Sequence, residues 1–326
     1  MFTKLLLPLD RSALAEQAVG RVGALARACG AEVDVVLVHE TDQFAAFGEE
    51  HQLESVQIKA EEQYVQDFAR EIASSVGVST SHAVLRGEAV SGIIARARQI
   101  GADLIVMTSH GRTGFSRAWL GSVADGVIRN SCIPVLMQRP VEGVALDHAS
   151  TEFRTILIPV DGSPEALGII DAAATLARSS GARIVLLQVV PPVPLVTADA
   201  AIGYVYPTPI PDEVATAGLV TDVNHHLAGV ARMLAERGCA NVTQKAVVSS
   251  GVARAVLDVA HSIGADLIAM STHGRGASRL LIGSMADKIV RGSGLPVLLR
   301  RQSAASAVAV PSEAKAGEQR PLLSIA

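Results

Sequence analysis

The sequence predicts an α/β protein built from two tandem doubly wound parallel-sheet domains, and three observations carry that expectation. Its 326 residues are about twice the length of an ordinary domain. Five blocks of sequence occur twice in the same order. Short, continuously apolar runs alternate with segments of helical periodicity, which is the pattern of a parallel sheet covered on both faces.

The repetition is explicit. Lys4-Leu-Leu-Leu-Pro-Leu-Asp10-Arg-Ser12 returns as Thr155-Ile-Leu-Ile-Pro-Val-Asp161-Gly-Ser163, and Leu25-Ala-Arg-Ala-Cys-Gly30 returns as Leu176-Ala-Arg-Ser-Ser-Gly181. Gly101-Ala-Asp-Leu-Ile-Val-Met-Thr-Ser-His110-Gly111-Arg112 returns as Gly264-Ala-Asp-Leu-Ile-Ala-Met-Ser-Thr-His273-Gly274-Arg275. Leu120-Gly121-Ser122 and Pro134-Val-Leu match Ile282-Gly283-Ser284 and Pro296-Val-Leu. Self-similarity of this kind fixes the organisation before any local structure is assigned. It gives domains at residues 1–140 and 154–301, a linker at 141–153 and a disordered Ala/Ser/Pro-rich tail at 302–326.

The elements follow in order. Residues 5–9, 33–38, 104–107 and 135–137 are too short for helices and too uniformly apolar for half-exposed strands, so they are expected as buried parallel strands. Leu14, Ala18, Val22 and Leu25 recur at helical spacing behind Ser12, a suitable N-cap, and Ser163-Pro164-Glu165 marks the same helix start in the second copy. The copies drift apart by a Pro-rich insertion at 191–211, expected as a long loop. Tyr204 and Tyr206 within it form either a lid or part of an exposed loop.

Composition narrows the function. Lys+Arg 28 against Asp+Glu 32 gives a net charge of -4 with no polybasic stretch, so nucleic acid is not an expected partner. No apolar run reaches the ~18 residues of a membrane span. The segment from Met1 to Asp10 does not read as a signal peptide, and a cytoplasmic protein is expected. Cys29, Cys132 and Cys239 are far apart without Cys-x-x-Cys spacing, so they are expected as reduced thiols, and no metal site is expected.

Chemistry concentrates after the strand that ends near Met107 or Met270. A Gly-containing loop leads there into a helix starting near Ser122 or Ser284, and free amides at such a junction cradle phosphate oxygens. Gly111 and Gly274 loosen the backbone, while Arg112 and Arg275 add charge at the rim. Neither G-x-x-x-x-G-K-[ST] nor G-x-G-x-x-G after the first strand is present.

The run Thr108-Ser-His-Gly111-Arg112-Thr-Gly114-Phe-Ser-Arg117-Ala-Trp-Leu-Gly121-Ser122, with Leu7-Pro8-Leu9-Asp10-Arg-Ser12 upstream, resembles the universal stress protein family, and the duplication resembles its tandem-domain members. The resemblance implies a Rossmann-like fold akin to adenine-nucleotide alpha hydrolases, with ATP as ligand and Mg2+ as a compatible bridging ion. The family pattern G-x-x-G, nine residues, G-[ST] is met by Gly111, Gly121 and Ser122, with Thr108 in the leading place. Gly274, Gly283 and Ser284 meet it after Ser271 with eight intervening residues. The implied nucleotide-binding set is Pro8, Asp10, Val38, Gly111, Arg112, Gly114, Gly121, Ser122 and Val123, then Pro159, Asp161, Val189, Gly274, Arg275, Gly283, Ser284 and Met285. In the family the final strand makes the dimer contact, so 135–137 and 297–299 are expected to pair within the chain as a pseudo-dimer, with a homodimer and unidentified protein partners open.

The function so implied is a nucleotide-dependent regulator or sensor in stress response, without efficient catalysis. Alternatives stay open at this point. Asp10 and Asp161 also suit capping of the helix that follows. His110 and His273 suit loop hydrogen bonds, or a slow ATPase or adenylyl-transferring enzyme. Trp119 suits a core or interface, and the repeat is also compatible with a ligand-free interaction module.

Overall fold

The apolar run bounded by Lys4 and Asp10 forms β1 (Lys4–Leu9) in a computed structural model that describes residues 1–40, 49–109, 120–139, 153–199, 204–272 and 283–301. Ser12 then accepts from the Ala15 amide at 3.1 Å, starting α1 (Ala13–Glu16), which runs through Gln17 into α2 (Ala18–Cys29). Gly30 stops α2 at φ 65°, a left-handed cap that a side chain would strain. The first half continues with β2 (Glu32–His39), α3 (Glu49–Val76), β3 (Thr80–Arg86), α4 (Ala89–Ile100), β4 (Leu104–Thr108), α5 (Ser122–Asn130) and β5 (Val135–Gln138).

The second half repeats the plan. β6 (Thr155–Pro159), α6 (Ile170–Ser180) and β7 (Arg183–Val190) lead into β8 (Pro194–Asp199) and β9 (Tyr204–Pro211). Then come α7 (Glu213–Glu236), β10 (Val242–Val248), α8 (Val252–Ser262), β11 (Leu267–Ser271), α9 (Ser284–Gly292) and β12 (Val297–Arg300).

Ten strands make one sheet in the order β10-β7-β6-β11-β12-β5-β4-β1-β2-β3. Within each half all neighbours are parallel. The chain winds outward from β1 to β3 and returns beside β1 with β4, so a crevice opens at the carboxyl ends between β1 and β4, and again between β6 and β11. Pleating divides the core: Leu5, Leu7 and Leu9 face α2 and α3, whereas Leu6 faces α4 and α5. The fold class read from the sequence is the one observed.

Three local expectations need correction. The insertion at 191–211 is not a loop: β8 and β9 pair antiparallel, with Thr197 opposite Tyr206 and Asp199 opposite Tyr204. Its prolines at 207, 209 and 211 alternate, and the strand they occupy belongs to a two-stranded ribbon with an outer edge on which proline is tolerated. Ser163-Pro164-Glu165 starts a 3-10 turn at Glu165–Ile169 rather than an α-helix, and α6 follows it. Each half also carries a fifth, outermost strand, β3 or β10, whose polar, half-exposed residues gave no apolar run. Charged side chains on such edges discourage pairing with other chains. The tail and most of the linker lie outside the described residues.

The halves join through their last strands. β12 pairs antiparallel with β5, Val297 opposite Met137, Leu298 opposite Leu136 and Leu299 opposite Val135. Leu136 and Leu298 are both 0% exposed. Across this seam Arg139 donates to the Ser293 and Arg291 carbonyls at 3.0 and 2.9 Å, and Arg301 donates to the Arg129 carbonyl. Each guanidinium thus sits at the negative end of a helix in the other half. Phe153, at the end of the segment expected as linker, is buried, with the Arg21 guanidinium 4.8 Å above its ring. Burial pulls that guanidinium down to about 10, the Asp266 charge opposing, so it stays charged at neutral pH.

One buried ion pair sits beneath α4. Asp34, 1% exposed, accepts from Arg96 Nε at 3.0 Å and from Nη2 at 2.7 Å, and from the Ser81 hydroxyl. Hydrogen bonding to Asp34 raises the Arg96 guanidinium above its ordinary value against the opposing effect of burial. Asp34→Ala should therefore cost about 3 kcal/mol in urea unfolding, while Asp34→Leu with Arg96→Leu recovers most of it. The α4–α5 contact is equally tight. A β-carbon on Gly126 would lie 2.6 Å from Val90 Cγ2. Gly126→Ala should lose about 1–3 kcal/mol, and Val90→Ala in the same chain should restore part of the melting temperature.

Candidate functional site

Strand order places the carboxyl ends of β1, β2 and β4 side by side, and a cleft of about 520 Å³ opens there. It is lined by Pro8, Asp10 and Val38 from the strand ends and by Gly121, Ser122 and Val123 from the start of α5. Residues separated by more than a hundred positions in the sequence are thus brought to one cavity. Its volume lies in the usual range for small-molecule sites.

The start of α5 is built by the backbone. Ser109 N donates to the Gln138 carbonyl at 2.9 Å and Gly121 N to the Ser109 carbonyl at 2.8 Å, which fixes the direction of the helix. Gly121 occupies the cap position, and among the described residues no side-chain cap bond is made there. The first amides of a helix have no partner within it, and Ser122, Val123 and Ala124 line the cleft with the positive end of the dipole behind them. The second half repeats this: Thr272 N donates to Arg300, Gly283 N donates to Thr272, and Gly283 is again an uncapped helix start ahead of Ser284 and Met285.

Asp10 does not cap α1 directly. Its Oδ1 accepts from the Ser12 amide at 3.0 Å and the Ser12 hydroxyl at 2.6 Å, and Ser12 caps the helix. Asp161 holds Ser163 in the same way at 2.9 and 2.5 Å. Each aspartate therefore stiffens the turn at its strand end. Pro159 ends β6 and Val189 lies in β7, in the places that Pro8 and Val38 take in the first half. Gly111, Arg112, Gly114, Gly274, Arg275, His110, His273 and Trp119 lie outside the described residues.

Reasoning on sequence missed a charged wall in the first half. His39 Nδ1 lies 2.8 Å from Glu61 Oε2, and Arg11 Nη1 lies 3.6 Å from Glu61 Oε1. Arg11, His39, Glu40, Gln57 and Glu61 all line the cleft. Behind them Tyr64 donates to Glu16 Oε1 at 2.9 Å; burial, helped by that carboxylate, pushes the phenol far above its usual value, so it remains a donor. A signal existed: Glu61, Val65, Ala69 and Ile72 share one helical stripe, and an acid on an apolar stripe marks a buried polar site. Among the described residues there is no cluster of three metal-ligating side chains, and no helix is long and apolar enough to cross a membrane.

The comparison with known proteins follows the same division of the chain. Residues 1–139 and 152–301 each match the universal stress protein family. Universal stress protein MJ0531 of Methanocaldococcus jannaschii is 32% identical over 139 residues, covering 42% of this chain and 82% of that protein. Universal stress protein Rv2005c of Mycobacterium tuberculosis is 25% identical over 203 residues, 62% of this chain and 63% of that protein. Among solved structures, a universal stress protein from Archaeoglobus fulgidus superposes with a TM-score of 0.65 at 20% identity, over 92% of this chain and 98% of that one, a likeness of fold. By the two family matches and the fold they share, this chain belongs to the universal stress protein family, with the family's domain present twice.

Proposed function

We propose that the first-half cleft binds an adenine nucleotide, ATP foremost, and that its occupancy is the regulatory signal of a stress-response protein. The observation that carries this reading is the start of α5 at Gly121, which makes no side-chain cap bond and whose first residues line the same cleft as Pro8, Asp10 and Val38. Oriented amides at a helix start hold phosphate oxygens without a protein counter-charge. Strand-end main-chain groups beside Val38 suit the edge of a base.

Residues 1–140 and 154–301 are proposed as two nucleotide-binding domains. The second site would be formed by Pro159, Asp161, Val189, Gly283, Ser284 and Met285, with Gly274 and Arg275 completing its loop as Gly111, Arg112 and Gly114 complete the first. Among the described lining residues of the first cleft there is no lysine to neutralise a transferring phosphoryl group. Binding and release, rather than turnover, is therefore the proposed activity, with Mg2+ as a compatible companion of the phosphates.

Replacing Ser122 and Ser284 by Asp separates binding from folding. An acidic residue in the first turn of a helix favours the helix, so the melting temperature should hold or rise slightly. The same carboxylate stands where the phosphates would lie, and calorimetric titration should show ATP affinity falling at least about tenfold, the effect of roughly 1.4 kcal/mol of lost interaction. Undiminished affinity in the double variant would place the nucleotide elsewhere.

A further inference from the structure

Arg11 has φ 67°, and among the described residues no other side-chain-bearing residue has a positive φ. The same turn in the second half is made by Gly162 at φ 80°, so the turn itself requires the left-handed region, which glycine enters without strain. An arginine at this point costs conformational energy that glycine would avoid, and such positions cluster where a side chain is needed.

The side chain is placed for use. Its guanidinium lines the cleft, is 47% exposed, and lies 3.6 Å from Glu61 Oε1. Glu61 is fixed in turn by His39 Nδ1 at 2.8 Å, and both are nearly fully buried. Asp10, Glu40 and Glu61 also line the cleft, and Arg11 is its one permanent cation among the described lining residues. A polyanion entering past three carboxylates is repelled unless a cation meets it. A guanidinium has five donors in a fixed fork, so it can keep one edge on Glu61 and present the other to an anion.

We propose that Arg11 is a ligand-contacting residue, its guanidinium oriented by the Glu61–His39 pair to bind the anionic part of the nucleotide. This rests on the nucleotide reading of the cleft. The second half has Gly162 and Val190 where the first has Arg11 and His39, so the contact belongs to the first half alone and makes it the tighter of the two sites.

The test is calorimetric titration of the full chain with ATP, AMP and adenosine, comparing Ser284→Asp with Ser284→Asp plus Arg11→Gly. Arg11→Gly installs the glycine already used by the second half, so the melting temperature should be unchanged or raised. ATP binding should weaken about tenfold, as expected for one charge-assisted hydrogen bond, and lose part of its salt dependence. AMP should weaken less, and adenosine should bind as before. Equal ATP affinity with and without Arg11, or an equal loss for ATP and adenosine, overturns the Arg11 assignment alone. Wild-type protein that binds no ATP overturns the nucleotide reading, and this assignment with it.

Discussion

The antiparallel pairing of β5 with β12 is the constraint on which the rest of the molecule depends. Left alone, each half would end its sheet in an apolar edge strand, an open template for another chain. Paired, the six residues from Val135 to Met137 and from Val297 to Leu299 are at most 2% exposed, and full burial of such side chains contributes about 1.5–3 kcal/mol each. The seam also sets direction. Every other neighbour in the ten-stranded sheet is parallel, so one antiparallel step turns the carboxyl ends of the two halves toward opposite edges. The carboxyl ends of β1 and β4, where the first-half cleft opens, therefore face away from those of β6 and β11 in the second half.

Within each half, the helices differ in how their first turns are capped. Ser12, Glu88 and Asp212 cap α1, α4 and α7 with side-chain oxygens, contacts that typically contribute about 1 kcal/mol each. α5 and α9 begin instead at Gly121 and Gly283 with no such bond. The missing cap alone does not define a site, since α8 also starts uncapped at Gly251. What distinguishes α5 is position: it follows β4 at the point where the winding reverses, so its open end meets the cleft that the strand ends already form.

Much of this was legible in the sequence because repetition and burial leave strong marks. Leu5 to Leu9 is apolar on both sides of the pleat and Val33 to Val38 is so except at Asp34, so both read as central strands, and their duplication showed the tandem plan. β3 escaped because Thr80, Ser81 and His82 stand at an edge where one neighbour suffices, and its pattern is that of a loop. The insertion was misjudged because proline frequency argues against a strand only where both edges must be bonded. At the cleft, the helix start near Ser122 was legible from the strand-loop-helix order, and Asp10 and Gly121 came from the family resemblance. Arg11, His39 and Glu61 were not, because their meeting depends on how α3 lies across β2, and that contact brings together residues with no fixed separation in the chain.

The two halves share a backbone plan but not an interior. By the strand registers, Asp34 in β2 corresponds to Val185 in β7, and His39 to Val190. Val185 is buried, as Asp34 is, so the fold needs only an apolar residue at that place, and the Asp34–Arg96 pair is an addition peculiar to the first half. Desolvation makes such a pair at best neutral for stability against a well-packed apolar alternative. Its effect is rather to fix α4, whose Ala89 and Ile93 form one wall of the cleft, while Glu61 and His39 fix another. The polar substitutions of the first half gather around β2 and the helices that cover it, the part of the fold that shapes the cavity. A duplicated chain can hold its architecture in both copies through the seam and the apolar layers, and one copy is then free to carry charge where a ligand would meet it.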